Sequence, residues 1–571
     1  MTHTASPKRI VVDIETNLKH DTIWVVCTQD IDTGEKHTWN EENSFQDYIK
    51  DATSIIGHNF IGFDGHLLSK LWKTQISLKK IVDTLILSRL LEPSREKGHS
   101  LESWGEQLGE AKTDYKAAWE AAVDRKEAYP GECFDSPAID VITAYCAQDV
   151  NVTCKLFLHL EKQLKEKEFS QESIDLEHKV GFIIAEQERN GFKLDVEYAT
   201  LLLADIKREM DIVYEQMQQR WPPYEKERVS EKTGKSLKPA RIVFNPGSRK
   251  QIGEKLQELG WKPEKFTETG QPVVDETVLS KVDIPEAQTI AKYLLLQKRV
   301  AQIESWFECL KPDGRVHGKV ITNGAVTGRA SHHSPNMAQV PAVRSAYGPD
   351  CRKVWTVDEG NVLVGVDLSG IELRCFAHYL NDPEYINEVI NGDVHTKNQK
   401  AFGVSTRDVA KTVLYATLYG ASPPKIGSII GGSAAEGKKI IDSFERNVPA
   451  YAKLKQKVSR YAAKGRIPGL DGRQLIIRSE HSALNTLLQA AGAIIAKQWI
   501  VCFTERLKNA QVQYKLVAWV HDEVQIETKP EYACQVLEIV VQSAAQAGEL
   551  LKFRCPVAAE GKTGANWYET H

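Results

Sequence analysis

The sequence lacks the marks of several common protein classes. It has ten cysteines in 571 residues, at 27, 133, 146, 154, 309, 351, 375, 502, 534 and 555. No CxxC pair or repeated spacing joins them, which argues against both a disulfide scaffold and a zinc ribbon. There is no excess of either charge: 73 Lys and Arg stand against 77 Asp and Glu, a formal charge of −4. That excludes a histone-like binder driven by bulk charge, but not a basic surface within a neutral whole. The N-terminus MTHTASPKRIVVDIET has no apolar leader core, and no stretch approaches ~20 uninterrupted apolar residues, so neither a secretory leader nor a membrane span is expected. Internal repeats and low-complexity tracts are also missing. What remains is a chain with 42% hydrophobic residues, long enough for three or four domains, and read as a soluble protein of a reducing compartment.

Acids at the ends of apolar runs are the first positive signal. RIVVDIET at 9–16 is a β-branched run with Asp13 and Glu15 two apart, so a strand puts both carboxylates on one face. Such a pair repels itself unless a cation lies between, which asks for a divalent metal. Asp64 follows in HNFIGFD. The spacing predicts a long helix over 141–164, with Tyr145 and Asp149 one turn apart on one side of it. Four carboxylates and a tyrosine suit a two-metal centre for phosphodiester hydrolysis. Taken singly, each acid reads more readily as a helix cap or surface charge; the ordered set within one α/β domain carries the reading. His58 and Asn59 arrange the same loop or are simply structural.

A second set lies in the C-terminal half. Asp367 ends the strand VLVGVD, and Asp522 and Glu523 occupy the turn of WVHDEVQI. They meet only if the chain between folds out and returns, as in a sheet that brings two aspartates to two Mg²⁺ ions for nucleotidyl transfer. Asp is also a common turn residue, and a bland hairpin acid is the competing reading for Asp522. Between them, Arg407, Lys411 and Tyr415 recur every four residues and share a helix face, suited to triphosphate oxygens and a base or sugar. His395 is a further phosphate donor or a turn histidine. Arg329 and Arg374 are candidates for phosphate or base-pair contacts, with salt bridges as the alternative. Residues 220–255 hold ten Lys and Arg against four Glu, as a surface facing phosphates would, or a solvated charged loop.

Together these motifs resemble a known family. DIE at 13–15, HNFIGFD at 58–64 and YCAQD at 145–149 are similar to the three motifs of DEDD-type proofreading 3′–5′ exonucleases, tyrosine variant. The ordered series FNPGSR (244–249), TNGAVTGRASHHSPNMAQVP (322–341), DLSGIELR (367–374), GDVHTKNQ (392–399), RDVAKTVLYATLYG (407–420), GLDGR (469–473), HSALNTLLQAAGA (481–493) and AWVHDEVQI (518–526) resembles family A DNA polymerases, in particular the T7-type phage replicative branch. The resemblance implies an α/β chain: an RNase H-like exonuclease domain (1–170), a connecting region (171–195), then a right-hand polymerase fold. That fold would have a helical thumb (196–310), a palm with an antiparallel sheet (311–385 and 508–571) and helical fingers (386–507).

By the same resemblance, Asp13, Glu15, Asp64 and Asp149 hold metal and Tyr145 orients the attacking water. Asp367 and Asp522 hold metal in the palm, with Glu523 a lesser acid nearby. Arg407, Lys411 and His395 bind the triphosphate, and Lys411 protonates the departing pyrophosphate. Tyr415 governs acceptance of a sugar lacking its 3′-hydroxyl, Glu372 is a steric gate against a 2′-hydroxyl, and Tyr419 borders the templating base. Arg329, Asn485, Gln489, His521 and Glu523 belong with DNA contacts, as do Lys226, Arg228, Lys232, Lys235, Lys238 and Arg241 of the basic segment. Two Mg²⁺ per centre are implied, with Mn²⁺ able to substitute. The implied partners are primer–template DNA, deoxynucleoside triphosphates and a single-stranded DNA end. A replicative helicase–primase and a single-strand-binding protein are candidates, in a monomer acting in the cytoplasm of a bacterial host.

Where T7-type enzymes carry a large thumb insertion that captures host thioredoxin, this sequence has only 221–243, read as proline-broken and too short for a docking module. Thioredoxin is therefore not expected as a partner. Nor does a first strand starting near residue 9 leave room for an amino-terminal 5′ nuclease. Two other classes compete: a single-subunit RNA polymerase, disfavoured by Glu372 and the proofreading motifs, and an exonuclease joined to an inactive binding module, disfavoured by the intact second acidic set.

Overall fold

Ile10, Val11 and Val12 are buried on both sides of the strand Arg9–Thr16, so this run takes the centre of a sheet and leaves its acids at the C-terminal end. The computed structural model describes residues 8–110, 114–229 and 235–571. The sheet's order is Lys36–Trp39, Ile23–Asp30, Arg9–Thr16, Ser54–Gly57, Ile81–Asp83, with the first three antiparallel and the last three parallel. The 28-residue helix Ile139–Glu166 turns an apolar stripe (Ile142, Cys146, Val150, Phe157, Leu160, Leu164) into the core on one side of the sheet. Asp149 lies on the same stripe, which is how a helix delivers a carboxylate to a strand end.

Chain contacts divide the protein into two units. The first comprises the described parts of Met1–Asn190, with Val320–His332 and Val364–Thr563; the second comprises Gly191–Lys319, His333–Leu363 and Gly564–His571. The helix Gln171–Asn190 falls within the first unit, and the segment 311–385 is shared between the two.

The first unit also holds a four-stranded sheet in the order Tyr514–Val520, Glu523–Thr528, Val362–Leu368, Ala559–Gly564. The helix Ile371–Leu380 leaves that sheet directly after the strand ending at Leu368. A helical region follows from Pro383–Asn391 to Pro449–Ala462. Beneath it, Ala483–Asn509 is buried on nearly every side. By length and composition Glu480–Asn509 resembles a membrane span, yet 89% of its apolar window is packed inside the protein, so it is a core helix.

In the second unit, the long helices Val196–Arg220 and Pro285–Glu308 pack together. Phe192, Trp306, Trp355 and Trp567 form an aromatic cluster beside a small three-stranded sheet. The segment read as proline-broken is instead an antiparallel hairpin, Tyr224–Val229 with Ser236–Ile242. Pro239 has no N–H for the ladder, and the register slips between Lys226 and Arg228 opposite it, so a bulge absorbs the proline without ending the strand. Lys232 lies outside the described residues.

Candidate active sites

In the N-terminal domain, Asp13, Glu15 and Asp149 bring ligand oxygens within 4.8 Å of one another. Asp64 stands beside this trio as a buried carboxyl whose Oδ1 accepts the backbone N–H of Ile14, at 3.1 Å, between the two strand acids. Burial, reinforced by the charge of Asp13, pushes Asp64 well above the usual carboxylate range. Crowded carboxylates of this kind fit a hard divalent cation with oxygen ligands. Tyr145 lies one helical turn before Asp149, its ring centre 5.2 Å from that of Tyr115.

The loop carrying His58 and Asn59 is fastened from below. His58 Nδ1 is 2.9 Å from Thr84 Oγ1, and Asn59 has a left-handed φ of 58°. Asp83 accepts the N–H of Asn59 on one carboxylate oxygen (2.9 Å) and that of Ile61 on the other (3.0 Å). Sequence reasoning missed Asp83; its only signal was its place just before TLILSRLL, where it also caps the helix through Leu85 N–H. Cys146 was missed as well: its thiol lies 3.3 Å from the Asp13 carbonyl and 3.4 Å from Oδ2.

The second acidic set converges on the four-stranded sheet. The strand ending at Leu368 neighbours Glu523–Thr528, and Leu368 N–H donates to the Asp522 carbonyl at 3.0 Å, which draws Asp367 beside the turn of the hairpin. Burial, then the charges of Asp522, Glu523 and Glu560, push Asp367 up to about 7. Burial raises Asp522 too. Two half-buried acids, both pushed up by burial and Asp367 further by the charge of Asp522, suit a hard cation. His521 enters the turn at a φ of 59°, and burial lowers its pKa. Glu523 is buried at the start of its strand and accepts from Gln525 Nε2 at 2.8 Å. Glu560 was not anticipated, because the strand AEGKTG has no apolar alternation to reveal it.

Facing groups come from helices. Thr406 caps Arg407–Leu418 through Val409 N–H, so Arg407 opens the helix and Lys411 and Tyr415 follow at one-turn intervals. Arg407 pairs with Asp393 at 2.9 Å and holds that acid far below its ordinary range. His395 belongs to the first turn of the helix Val394–Phe402, its pKa lowered by burial and by Arg407 and Lys411. Glu372 is held twice: Arg329 donates to Oε1 at 3.2 Å and the Tyr419 hydroxyl to Oε2 at 2.6 Å. Tyr419 thus bears directly on Glu372, a contact its expected place beside a templating base did not include. Asn485 and Gln489 share one face of the long buried helix, each partly exposed. The Arg374 guanidinium donates to the carbonyls of Ser369 (2.8 Å) and Pro556, which sets it against the backbone.

Beneath the segment carrying Arg329 lies a buried ionic cluster that sequence reasoning also missed. Glu177 accepts from Lys497 (2.6 Å) and Arg473 (2.7 Å), Arg473 pairs with Asp471 (2.6 Å), and Lys497 donates to Asn323 (2.7 Å). The cluster ties three distant stretches of chain to the turn that ends in Arg329.

Two acidic centres, one set for hydrolysing a phosphodiester and one for forming it beside a cation-bearing helix, define an enzyme that both shortens and extends nucleic acid. Residues 215–569 match the family model described as DNA polymerase family A, and 6–165 match that described as 3′-5′ exonuclease. The DNA-directed DNA polymerase of Enterobacteria phage T3 is 34% identical over 662 aligned positions, covering 92% of this chain and 93% of that one. That of Escherichia phage T7 is 34% identical over 90% and 92%, and DNA polymerase I of Aquifex aeolicus is 27% identical over 90% and 88%. In fold, the chain is similar to the POL domain of Pol1 from M. smegmatis, solved in complex with DNA primer-template and dNTP: 19% identity, TM-score 0.79, 99% and 97% coverage. The chain belongs to the family A DNA polymerases. It is a DNA-directed DNA polymerase with a 3′–5′ exonuclease, built as an RNase H-like domain followed by a right-hand polymerase fold.

Proposed function

We propose that the protein replicates a phage genome as a T7-type enzyme, binding primer–template DNA and deoxynucleoside triphosphates in the palm and fingers and a frayed primer end in the exonuclease domain. The observation that carries the reading is Glu372, held by Arg329 and Tyr419 just beyond the strand of Asp367. The domain limits proposed from the sequence stay with this reading, as do a helicase–primase and a single-strand-binding protein as partners.

Asp13, Glu15, Asp64 and Asp149 would hold Mg²⁺ in one centre and Asp367 and Asp522 in the other, two ions each, with Mn²⁺ as substitute. Bound there, the cations would supply nucleophile activation and neutralise the charge of the leaving oxygen. In the exonuclease, Tyr145 orients the attacking water. In the polymerase, Arg407 and His395 grip the triphosphate, Lys411 gives a proton to the departing pyrophosphate, and Tyr415 lies against the sugar. Arg329, Asn485, Gln489 and His521 meet minor-groove edges and the primer terminus, where acceptors common to all base pairs allow a check of shape without sequence. Glu523, set inside the sheet, acts on this surface through Asp367 and His521.

Glu372 fills the space beneath the sugar and excludes a 2′-hydroxyl. Glu372→Ala is expected to raise ribonucleotide relative to deoxynucleotide incorporation by at least tenfold, about 1.4 kcal/mol of lost discrimination. Competitive single-nucleotide insertion measures it; an unchanged ratio would remove Glu372 from this role.

The hairpin at 224–242 supports a thumb without a thioredoxin module. The T3 alignment is longer than this 571-residue chain, so the relative carries segments with no counterpart here. Lys226, Arg228, Lys235, Lys238 and Arg241 of the hairpin, with Lys232, offer phosphate contacts that weaken with salt. Processivity is expected to be independent of thioredoxin and to fall steeply with ionic strength. Extension of a long primed template under a DNA trap, with and without thioredoxin, tests this; products lengthened several-fold by thioredoxin would refute it.

A further inference from the structure

The 23 residues from Val448 to Leu470 carry six cations and no acid, in a chain whose net charge is −4. Most of this stretch is the helix Pro449–Ala462. Lys453, Lys457 and Arg460 recur at intervals of four and three on this helix, a stripe about 10 Å long at 1.5 Å per residue, and Lys464 extends it in the turn just past the helix end. All four are exposed. Lys455, off the stripe, pairs with Glu445 at 2.6 Å, while none of the four stripe cations is paired with a carboxylate among the described residues. A solvated helix face ordinarily mixes signs; four like charges in a row repel one another and gain only when an anion arrives.

The stripe borders a cleft of about 660 Å³ that adds Arg554 to Lys453 and Lys457 and has no acidic residue in its wall. Beside these cations the wall carries Leu454, Ile467, Pro468 and Tyr461, together with His378 and the polar Asn381. Tyr461 lies within the stripe itself, under Lys464. Cations along a rim, with an aromatic and an apolar floor beside them, match single-stranded nucleic acid: phosphates on the rim, base faces against the floor. An acidic peptide would use the charges and leave the floor idle. Leu380, at the C-terminal end of the helix Ile371–Leu380, also lines the cleft. The other end of that helix carries Glu372 and follows Asp367, so one helix about 13 Å long runs from the wall of the cleft to the polymerase centre.

We propose that the stripe Lys453–Lys457–Arg460–Lys464 and its cleft bind the unpaired template strand ahead of the insertion site, through its phosphates and stacked bases. The inference rests on the polymerase reading of the Asp367 centre. The contact is independent of sequence and sensitive to salt, and it guides the template before it is copied.

Binding is measured in Ca²⁺, which suppresses chemistry, on two primer–templates with the same duplex and 5′ template overhangs of about 2 and about 20 nucleotides. The wild type is expected to bind the long overhang roughly tenfold more tightly, with a salt slope steeper by about 3, as four cations on a single strand would give. In the variant Lys453→Gln, Lys457→Gln, Arg460→Gln, Lys464→Gln the two substrates should bind within about twofold. Its short-overhang affinity and single-nucleotide insertion in Mg²⁺ should be unchanged. A wild type indifferent to overhang length, or a variant that keeps the advantage, overturns the proposal. If the variant keeps the advantage but loses binding to a polyglutamate peptide, the stripe is a protein-docking surface instead. Failure of the wild type to insert a nucleotide on the short overhang would condemn the polymerase reading rather than the stripe.

Discussion

Asp367→Asn is expected to lower primer extension by on the order of 10³-fold, because in its proposed role as a metal ligand that carboxylate would supply several kcal/mol of charge stabilisation. Single-strand degradation by the same protein should persist. The substitution also carries an internal check on folding. In the folded state, burial and the neighbouring Asp522, Glu523 and Glu560 raise Asp367 to about 7, well above the unfolded value near 4. Between these two values the folded protein holds a proton that the unfolded chain has released, so this residue makes the metal-free protein less stable as pH rises from about 4 to 7. Asparagine removes that dependence. In EDTA at pH 8 the variant should therefore melt at a higher temperature than the wild type, and the gap should close toward pH 4. Loss of extension with a lower melting temperature at pH 8 would mean that Asp367 is a structural residue.

The complementary pair Asp13→Ala and Glu15→Ala is expected to reduce 3′–5′ degradation by on the order of 10³-fold or more and to leave extension within about twofold. Two of the three clustered carboxylates are removed together, so little of the centre is left to hold a cation. The strand that bears them is central to its sheet, but the substituted side chains lie at its end, beyond the buried Ile10, Val11 and Val12. Release of labelled nucleotide from a single-stranded oligonucleotide, beside extension of a matched primer, separates the two activities. Loss of both in folded protein would contradict the division into two centres.

The parts of these sites that were legible in the sequence share a simple cause. Asp13 and Asp367 end β-branched runs, Tyr145 and Asp149 are one helical turn apart, and Arg407, Lys411 and Tyr415 repeat at four; each pattern is local and has one structural solution. Groups that act through partners distant in the chain were not legible. Asp83 fastens a loop 22 to 24 residues away, Glu177 meets Arg473 and Lys497 some 300 residues on, and Glu560 sits in a strand with no apolar pattern. The hairpin at 224–242 was obscured because Pro239 reads as a breaker, whereas an isolated two-stranded ribbon can bulge around it. Glu372 illustrates both cases. Its motif was legible, but the two groups that hold it, Arg329 and Tyr419, come from 43 residues before and 47 after, and only the fold brings them together.

Whether one chain lengthens and shortens the same DNA end at two metal-dependent centres is tested with one labelled primer. A 5′-labelled primer annealed to a defined template is incubated with the unmodified protein in Mg²⁺, with all four deoxynucleoside triphosphates or with none, and each reaction is repeated in EDTA. Template-directed growth is expected with triphosphates, stepwise shortening from the 3′ end without them, and neither in EDTA. Shortening without any growth, growth only with ribonucleotides, or either reaction persisting in EDTA would contradict it.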